Sequence, residues 1–125
     1  MPGWGSAFDG QKYLNLETFR RSGEGVRTPL WFAAVPDGTL YVYTPAKSGK
    51  VKRIRHSPQV RIAPCDKFGL ITGPCFDATA RLVSGAEFDR GMTLINRKYR
   101  PMKLLLDVGF LLFRRERAVI ALSPR

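Results

Sequence analysis

The chain is short of the residues that many enzymes use for acid–base or metal chemistry. Among its 125 residues there is one histidine, His56, and there are two cysteines, Cys65 and Cys75. A histidine-based catalytic triad and a metal site built on several histidines are therefore excluded. Two cysteines give no disulfide framework, and without a signal peptide we expect two reduced thiols in a cytoplasmic protein.

Acidic residues and long apolar runs are also scarce. The sequence has 10 Asp and Glu against 21 Lys and Arg, a formal net charge of +11. Such a charge attracts anions of any kind, including nucleic acid, phosphorylated cofactors and membrane surfaces. The most apolar run, Leu104 to Phe113, is interrupted by Asp107 and Gly109. It has about half the length that a bilayer requires, so no membrane span is predicted.

The length predicts a single domain over residues 1–125, and the patterning favours strands. Pro36-Asp37-Gly38 is a turn that joins two neighbouring strands into an antiparallel hairpin. Six strands with few and short helices predict a mainly β fold, a six-stranded antiparallel barrel. The predicted strands are Tyr13–Arg20, Val26–Val35, Thr39–Thr44, Gln59–Cys65, Pro74–Val83 and Arg117–Leu122.

Three helices are predicted between or after these strands. The period changes over Ser48–His56, and Ser57-Pro58 ends that run. Ser84 and Glu87 have the spacing of a capping box, in which the serine side chain accepts from the amide of Glu87. That pattern predicts a helix to about Arg97. The last predicted helix is Met102–Phe113.

The segment Tyr43–Arg53 carries the strongest chemical signal. A strand ends in a hydroxyl residue, Thr44, and a helix then opens with Ser48-Gly49-Lys50. The free amides and partial positive charge of a helix N-terminus form an anion site. Lys52 and Arg53 lie within the same turn and could reach a second anionic group. The alternative is a solvated basic face, and the glycine spacing of a P-loop is absent.

Several other side chains can be interpreted either as structural or as functional. Trp31, Tyr41 and Tyr43 could form the wall of a flat heterocycle site or belong to the core. A nucleophilic role for Cys65 would need a basic neighbour, and a packed thiol is favoured. With no convergent acid–base set, difficult chemistry would have to come from a cofactor.

Ordered sequence blocks from Tyr13 to Val83 resemble one protein family. They include Tyr-Leu-Asn-Leu-Glu-Thr-Phe-Arg-Arg-Ser-Gly, Thr-Pro-Leu-Trp-Phe, Leu-Tyr-Val-Tyr-Thr, Ser-Gly-Lys-Val-Lys-Arg-Ile-Arg, Val-Arg-Ile-Ala-Pro-Cys-Asp and Ala-Thr-Ala-Arg-Leu. The family is that of the pyridoxamine 5′-phosphate oxidase-like (PPOX class) proteins. Within it, the chain resembles the F420-dependent branch, the flavin/deazaflavin oxidoreductases of type B. The resemblance implies a split β-barrel homodimer with two cofactor sites at the subunit interface.

The resemblance also implies specific cofactor contacts. In the oxidases of the family, a Tyr-Thr pair and a Ser-Arg-Lys run hold the flavin phosphate, and here Gly49 replaces that arginine. Loss of the arginine leaves room, and Lys52 and Arg53 offer replacement charge. The contacts implied by resemblance fall on Thr28, Pro29 and Trp31 beside the ring, Tyr43, Thr44, Ser48, Gly49, Lys50, Lys52 and Arg53 at the phosphate, and Pro64 and Cys65 at the ring edge.

The function implied is that of an F420-dependent oxidoreductase. Reduced F420 would transfer hydride to an unsaturated, quinone-like or tetrapyrrole-like small molecule. No residue of the chain is assigned as a catalytic acid or base. An FMN-binding or haem-binding split barrel remains the alternative. A basic nucleic-acid-binding module is a third, less favoured possibility, because the sequence has no recognised nucleic-acid motif. That module would lose affinity steeply with salt.

Overall fold

The computed structural model describes residues 3–99 and 116–125, which contain seven strands and two helices. The predicted helix Met102–Phe113 lies outside the described residues. The first helix is α1 (Gly49–His56) and the second is α2 (Gly85–Lys98). The strands are β1 (Tyr13–Phe19), β2 (Gly25–Leu30), β3 (Phe32–Ala34), β4 (Leu40–Pro45), β5 (Gln59–Cys65), β6 (Phe76–Val83) and β7 (Arg117–Pro124).

All the strands form one antiparallel sheet in the order β2-β1-β5-β6-β7-β4-β3. The mainly β, antiparallel fold is confirmed, but the number of strands is wrong: seven are present, and the sheet is not closed. The predicted strand Val26–Val35 is two strands, because it changes partner at Trp31. Its first half pairs with β1 and its second half with β4, so both edges of the sheet belong to one stretch of chain.

The turn between β3 and β4 has the predicted form. The amide of Val35 donates to the carbonyl of Thr39 at 3.0 Å, and Gly38 has a φ of 95°. The Asp37 side chain accepts from the amide of Thr39 at 2.8 Å. A positive φ is accessible to glycine without a steric cost, which explains why this position closes the hairpin. The predicted hairpin is confirmed.

Alternation along the strands separates two apolar cores. Leu40 and Val42 of β4 belong to one core, whereas Tyr41 and Tyr43 pack in the other. Two aromatic residues of the N-terminal segment, Trp4 and Phe8, are each 5% exposed and belong to the same core as Leu40 and Val42. Because these side chains precede the first strand, the alternating pattern gave no sign of their burial.

Helix α2 covers the outer face of β3, β4 and β7. Gly91 allows this close approach, since a Cβ there would lie 2.9 Å from Cγ1 of Val119 and 3.3 Å from Cδ1 of Tyr41. The predicted helix is confirmed, but the prediction of a capping box at its start is wrong. The Ser84 side chain makes no cap hydrogen bond, and the carboxylate of Glu87 turns instead to Arg81 and Tyr41. Neither helix of the described chain has the length and apolar character needed to cross a membrane.

Candidate functional site

The turn between β4 and α1 places a serine at the start of the helix, as the sequence predicts. The Ser48 amide donates to the carbonyl of Pro45 at 3.0 Å, which closes the turn. The Ser48 side chain is the N-cap and accepts from the amide of Val51 at 3.4 Å. The amides of Gly49 and Lys50, at the first two positions of α1, have no partner within the helix. Two outward amide donors therefore lie beside the Ser48 hydroxyl.

Thr44 holds the Ser48 side chain from below. It is 2% exposed, and its hydroxyl donates to Ser48 Oγ at 3.3 Å. A hydroxyl group has one proton to donate and two lone pairs with which to accept. Because Ser48 Oγ accepts from both Thr44 and Val51, its own proton is directed away from these partners. The arrangement presents one hydroxyl donor and two amide donors to the same side of the helix N-terminus.

The positive charges of α1 have no acidic counterpart among the described residues. No acidic residue lies in the first turn, and no ion pair of the described chain includes a cation of α1. Burial, and secondarily the nearby Arg53, lower the pKa of the half-buried Lys50. Burial, and then Arg20, lower the pKa of Arg53. An anion at this position would act against both causes, because a nearby opposite charge favours the protonated, charged forms of Lys50 and Arg53.

Gly49 and Arg53 share one volume. A Cβ on Gly49 would lie 2.7 Å from Nη1 of Arg53, so the guanidinium fills the space where a side chain at position 49 would begin. The Nε of Arg53 donates to the hydroxyl of Thr18 at 2.6 Å, and Thr18 is fully buried. This hydrogen bond anchors the Nε of Arg53 beside the helix N-terminus. Lys52 is exposed and is not brought into this arrangement.

The three aromatic side chains of the sequence prediction, Trp31, Tyr41 and Tyr43, differ in burial. Tyr41 is 3% exposed and donates its hydroxyl to Glu87 at 2.9 Å, so it belongs to the core. The partly buried Trp31 and Tyr43 pack on the same outer cluster. The β3–β4 register, continued by one residue, brings them level with each other. One face of Trp31 is stacked on Tyr99, with the centroids 4.5 Å apart and an interplanar angle of 6°.

The hydroxyl group of Tyr99 forms hydrogen bonds both with Phe32 and with Lys12, which precedes β1. It accepts from the amide of Phe32 at 3.0 Å and donates toward the carbonyls of Lys12 at 2.6 Å and Phe32 at 2.9 Å. Burial is the main cause that raises the pKa of Tyr99. The ammonium group of Lys98 lies 3.4 Å from the centroid of the Phe32 ring, and burial lowers the pKa of Lys98 to about 8.

Thr28 and Pro29 lie in the edge strand β2. The side-chain oxygen of Thr28 is buried and has no hydrogen-bond partner among the described residues. It is opposite Leu16 and diagonal to Thr18, the residue that holds Arg53. Pro29 is opposite Asn15, and its ring lies against Gly69. An edge position explains why β2 tolerates a proline, which removes one ladder donor.

Pro64 and Cys65 end β5 and are both buried. Leu14 pairs with Pro64 on one side and with Leu30 on the other, so Pro64 lies two strands from Leu30. That separation is roughly 10 Å. No described hydrogen bond or ion pair connects Pro64 or Cys65 to the β4–α1 turn. Cys65 is a free thiol whose pKa is raised to about 11 by burial and then by Asp66.

Some residues near the site are not evident from the sequence. Thr18 and Tyr99 matter through contacts that join distant parts of the chain. Arg117 lies opposite Pro45 in the β4–β7 ladder and adds a cation beside the turn. His56 ends α1 and is exposed. In the described part of the chain, no group of three or more His, Cys, Asp or Glu side chains is placed to hold a metal ion.

Known proteins resemble the chain in structure rather than in sequence. A scan against protein-family models finds no match, and no curated protein matches the sequence. Among solved structures, a conserved hypothetical protein of Mycobacterium tuberculosis aligns with a TM-score of 0.70 at 22% identity, over 96% of this chain and 77% of that one.

Two further structures have named functions. The haem storage protein HutZ of Vibrio cholerae aligns with a TM-score of 0.68 at 16% identity, over 93% of this chain and 83% of its own. A candidate pyridoxamine 5′-phosphate oxidase of Listeria innocua aligns with a TM-score of 0.64 at 16% identity, over 96% of this chain and 89% of its own. The chain therefore has the fold of pyridoxamine-phosphate-oxidase-like split-barrel proteins.

Proposed function

We propose that the chain binds the phosphate group of a flavin-type coenzyme at the β4–α1 turn. The observation that carries this proposal is the combination of the Ser48 hydroxyl, two free amides and cations without a described acidic partner. Phosphate oxygens accept strongly from such donors, and a helix N-terminus favours negative charge. The proposed contacts at the phosphate are Tyr43, Thr44, Ser48, Gly49, Lys50, Lys52 and Arg53.

The donor set fits an anionic phosphate in both charge and hydrogen bonding. Thr44 and Val51 fix the Ser48 side chain, and Arg53 is held by Thr18. Donors that are already fixed lose little conformational entropy when an anion binds. Lys50 regains favourable electrostatics, since its pKa is lowered by burial and by Arg53. The exposed Lys52 contributes long-range attraction and, in our proposal, a weaker contact.

The remaining proposed contacts are assigned to the ring of the coenzyme and lie in or beside several strands. Trp31 and Tyr43 offer aromatic surface to a flat ring system. Thr28 has a buried oxygen without a described partner, and we assign it, with Pro29, to the ring-facing strand. Pro64 and Cys65 are assigned to the ring edge. No described hydrogen bond or ion pair joins Pro64 or Cys65 to the β4–α1 turn, and we therefore propose a homodimer in which each coenzyme contacts both subunits.

We favour F420 as the coenzyme and hydride transfer to an unsaturated small molecule as the reaction. Gly49 supports this choice, because the related oxidases have an arginine there and Arg53 fills that space here. When bound, reduced F420 supplies the hydride. The protein's own residues then bind the phosphate, orient the ring against Trp31 and Tyr43, and hold the substrate near it. The raised pKa of Cys65 opposes a role for that thiol as a nucleophile.

FMN and haem are the alternative ligands. FMN offers the same phosphate group to Ser48 and Lys50. Haem is supported by the fold shared with HutZ, which is described as a haem storage protein. The chain has one histidine, His56, and it is exposed at the end of α1. A haem iron would therefore take its axial ligand from His56, a cysteine, a methionine or a tyrosine, or from none of the described side chains.

Direct titration tests the proposal. Purified protein would be titrated separately with oxidised F420, FMN and haemin, followed by fluorescence and absorbance at two salt concentrations. We expect F420 to bind at micromolar concentration or tighter and FMN much more weakly. Preference for FMN or haemin would remove the deazaflavin assignment while leaving the fold unchanged. Equal, steeply salt-dependent binding of unrelated polyanions would favour the nucleic-acid alternative.

Variants of the turn test the phosphate assignment itself. Ser48→Ala combined with Lys50→Ala should weaken coenzyme binding by roughly 2 to 4 kcal/mol, as two charge-assisted contacts contribute. Arg55→Ala is a matched control, because it removes one charge from an exposed position of the same helix. The control should leave the affinity nearly unchanged. Equal effects of the double variant and the control would reduce the site to general electrostatic attraction.

A further inference from the structure

An open depression of about 760 Å³ lies between the start of β1 and the loop that follows β5. Its walls come from residues 10–13 and residues 65–68, together with Thr72. None of the donors of the β4–α1 turn lines this depression, whereas Cys65, which we assign to the ring edge of the coenzyme, does. The side chains that face it combine aromatic surface with positive charge, and the loop that carries them is firmly held.

Hydrogen bonds fix the loop that forms one wall. One carboxylate oxygen of Asp66 accepts from the amides of Phe68 and Leu70, each at 2.9 Å. The amide of Asp66 donates to the carbonyl of Leu70 at 3.0 Å. From outside the loop, the Asn15 side chain donates to the carbonyl of Gly69 at 3.2 Å. The backbone of the loop is therefore fixed by contacts within the protein and needs no ligand to order it.

Phe68 is 82% exposed on this fixed loop. Covering a large exposed aromatic side chain with a partner is favourable, because it removes apolar surface from water. The ammonium group of Lys67 lies 5.1 Å from the centroid of the Phe68 ring. Tyr13 also lines the depression, is half-buried and adds a second aromatic ring. Both rings offer aromatic surface to a molecule in the depression.

Two lysines, Lys12 and Lys67, and one acid, Asp66, line the depression. The Asp66 carboxylate already accepts two amide hydrogen bonds, so its charge is partly stabilised by the loop itself. No described ion pair includes Lys12 or Lys67. The surplus positive charge would select a ligand that carries a carboxylate or another anionic group.

We propose that this depression binds a planar aromatic or conjugated carboxylate. The carbonyl of Lys12 accepts from the hydroxyl of Tyr99, whose ring is stacked on Trp31, so the depression adjoins the aromatic wall of the coenzyme site. If the carboxylate is the substrate that accepts the hydride, this proposal rests on the proposed function. Binding of the carboxylate by itself does not rest on that function, because the residues of the depression need no coenzyme to attract an anion.

Calorimetric titration of the coenzyme-free protein with 2-naphthoate tests the depression alone. The neutral 2-naphthamide, of similar shape, serves as the uncharged probe. We expect naphthoate to bind, and Lys67→Ala and Phe68→Ala each to weaken it about three- to tenfold, through loss of charge and of ring contact. Leu70→Ala is the matched control, since Leu70 is 68% exposed in the same loop but does not line the depression. It should bind naphthoate as the unaltered chain does.

Three results would overturn the proposal: no binding of naphthoate at millimolar concentration, equal affinity for the amide, or an equal loss in the Leu70 variant. Sedimentation of Phe68→Ala adds a further arm, because dissociation of a dimer would assign the exposed ring to self-association instead. Coenzyme titration of Lys67→Ala separates the two proposals. Naphthoate binding in a protein that binds no coenzyme would sustain the depression and remove the coenzyme site.

Discussion

The guanidinium of Arg53 occupies the space that a side chain at Gly49 would need, one helical turn away. The Cβ position on Gly49 lies 2.7 Å from Nη1 of Arg53, and the buried Thr18 hydroxyl holds Nε of the same arginine at 2.6 Å. Position 49 and position 53 therefore compete for one volume. A glycine at the first position of α1 is what allows a residue from the next turn to stand beside the helix N-terminus.

Gly49→Ala should displace Arg53 without unfolding the protein. The methyl group meets the far end of a flexible side chain, which can move at low cost, and alanine is the better helix former. We expect the free energy of unfolding to change by less than about 1 kcal/mol. Coenzyme affinity should fall about three- to tenfold, because one cation leaves the phosphate side. Denaturant unfolding and coenzyme titration of the same preparation provide the two measurements.

The shared volume makes a second, sharper test possible. In an Arg53→Ala background, Gly49→Ala has nothing left to displace, so it should cause no further loss of affinity. Residues that act through one contact are not additive, and this double-mutant cycle measures that coupling. Additive losses in the double variant would show that position 49 acts on the ligand independently of Arg53.

Local patterns in the sequence predicted the start of α1 well. Ser48 as the first residue before the helix and the hairpin at Asp37 depend on contacts within a few residues, which spacing can reveal. The division of Val26–Val35 into two strands depends on which distant strands its halves meet. Pro29 is compatible with an edge strand, a bulge or a strand start, and it could not indicate the change of partner at Trp31.

The capping box illustrates a local pattern that lost to tertiary contacts. Ser84 and Glu87 have the right spacing, but Glu87 makes three hydrogen bonds, two with Arg81 and one with Tyr41. These charge-assisted bonds outweigh the one that the same carboxylate would accept from the Ser84 amide in a capping box. Similarly, the contact between Tyr99 and Lys12 spans 87 positions, a separation at which no periodicity or motif carries information.

Glu87 makes the stability of the protein sensitive to acid. Hydrogen bonds from Arg81 and then from Tyr41 are the largest causes that lower its pKa from an ordinary 4.5 to about 2. A carboxyl group with a depressed folded-state pKa stabilises the fold above its unfolded pKa. That contribution is lost as the pH falls through the folded pKa. The stabilisation is therefore complete above about pH 4.5 and disappears toward pH 2.

Glu87→Gln should remove this part of the pH dependence. We expect the variant to be less stable than the unaltered chain at pH 6, and the difference to shrink steadily between pH 4.5 and 2. Urea unfolding at a series of pH values measures it. Asp89→Asn is a suitable control, because Asp89 is an exposed acid on the same helix. A difference that stays constant with pH would contradict the assigned ion pair.

The two cysteines should differ in reactivity toward thiol reagents. Cys75 is exposed, whereas Cys65 is buried with a pKa raised to about 11, and the thiolate is the reactive form. At pH 7.5 we expect one label per folded chain, absent in Cys75→Ser and unchanged in Cys65→Ser. Mass spectrometry after limited labelling counts the adducts. Rapid labelling of Cys65 in the folded protein would refute its burial and reopen a nucleophilic role.

Tyr99→Phe should destabilise the point at which the chain passes from β2 to β3. The variant keeps the ring on Trp31 but removes the hydroxyl that serves the buried amide of Phe32 and the carbonyl of Lys12. A buried polar group without a partner costs about 1–3 kcal/mol, so the free energy of unfolding should fall by that amount. Denaturant unfolding followed by tryptophan fluorescence measures the loss. Tyr13→Phe is the control, because the Tyr13 hydroxyl makes no hydrogen bond with the described residues, and it should be neutral. Equal stability of the two variants would mean that the Tyr99 ring, rather than its hydroxyl, holds the edges of the sheet together.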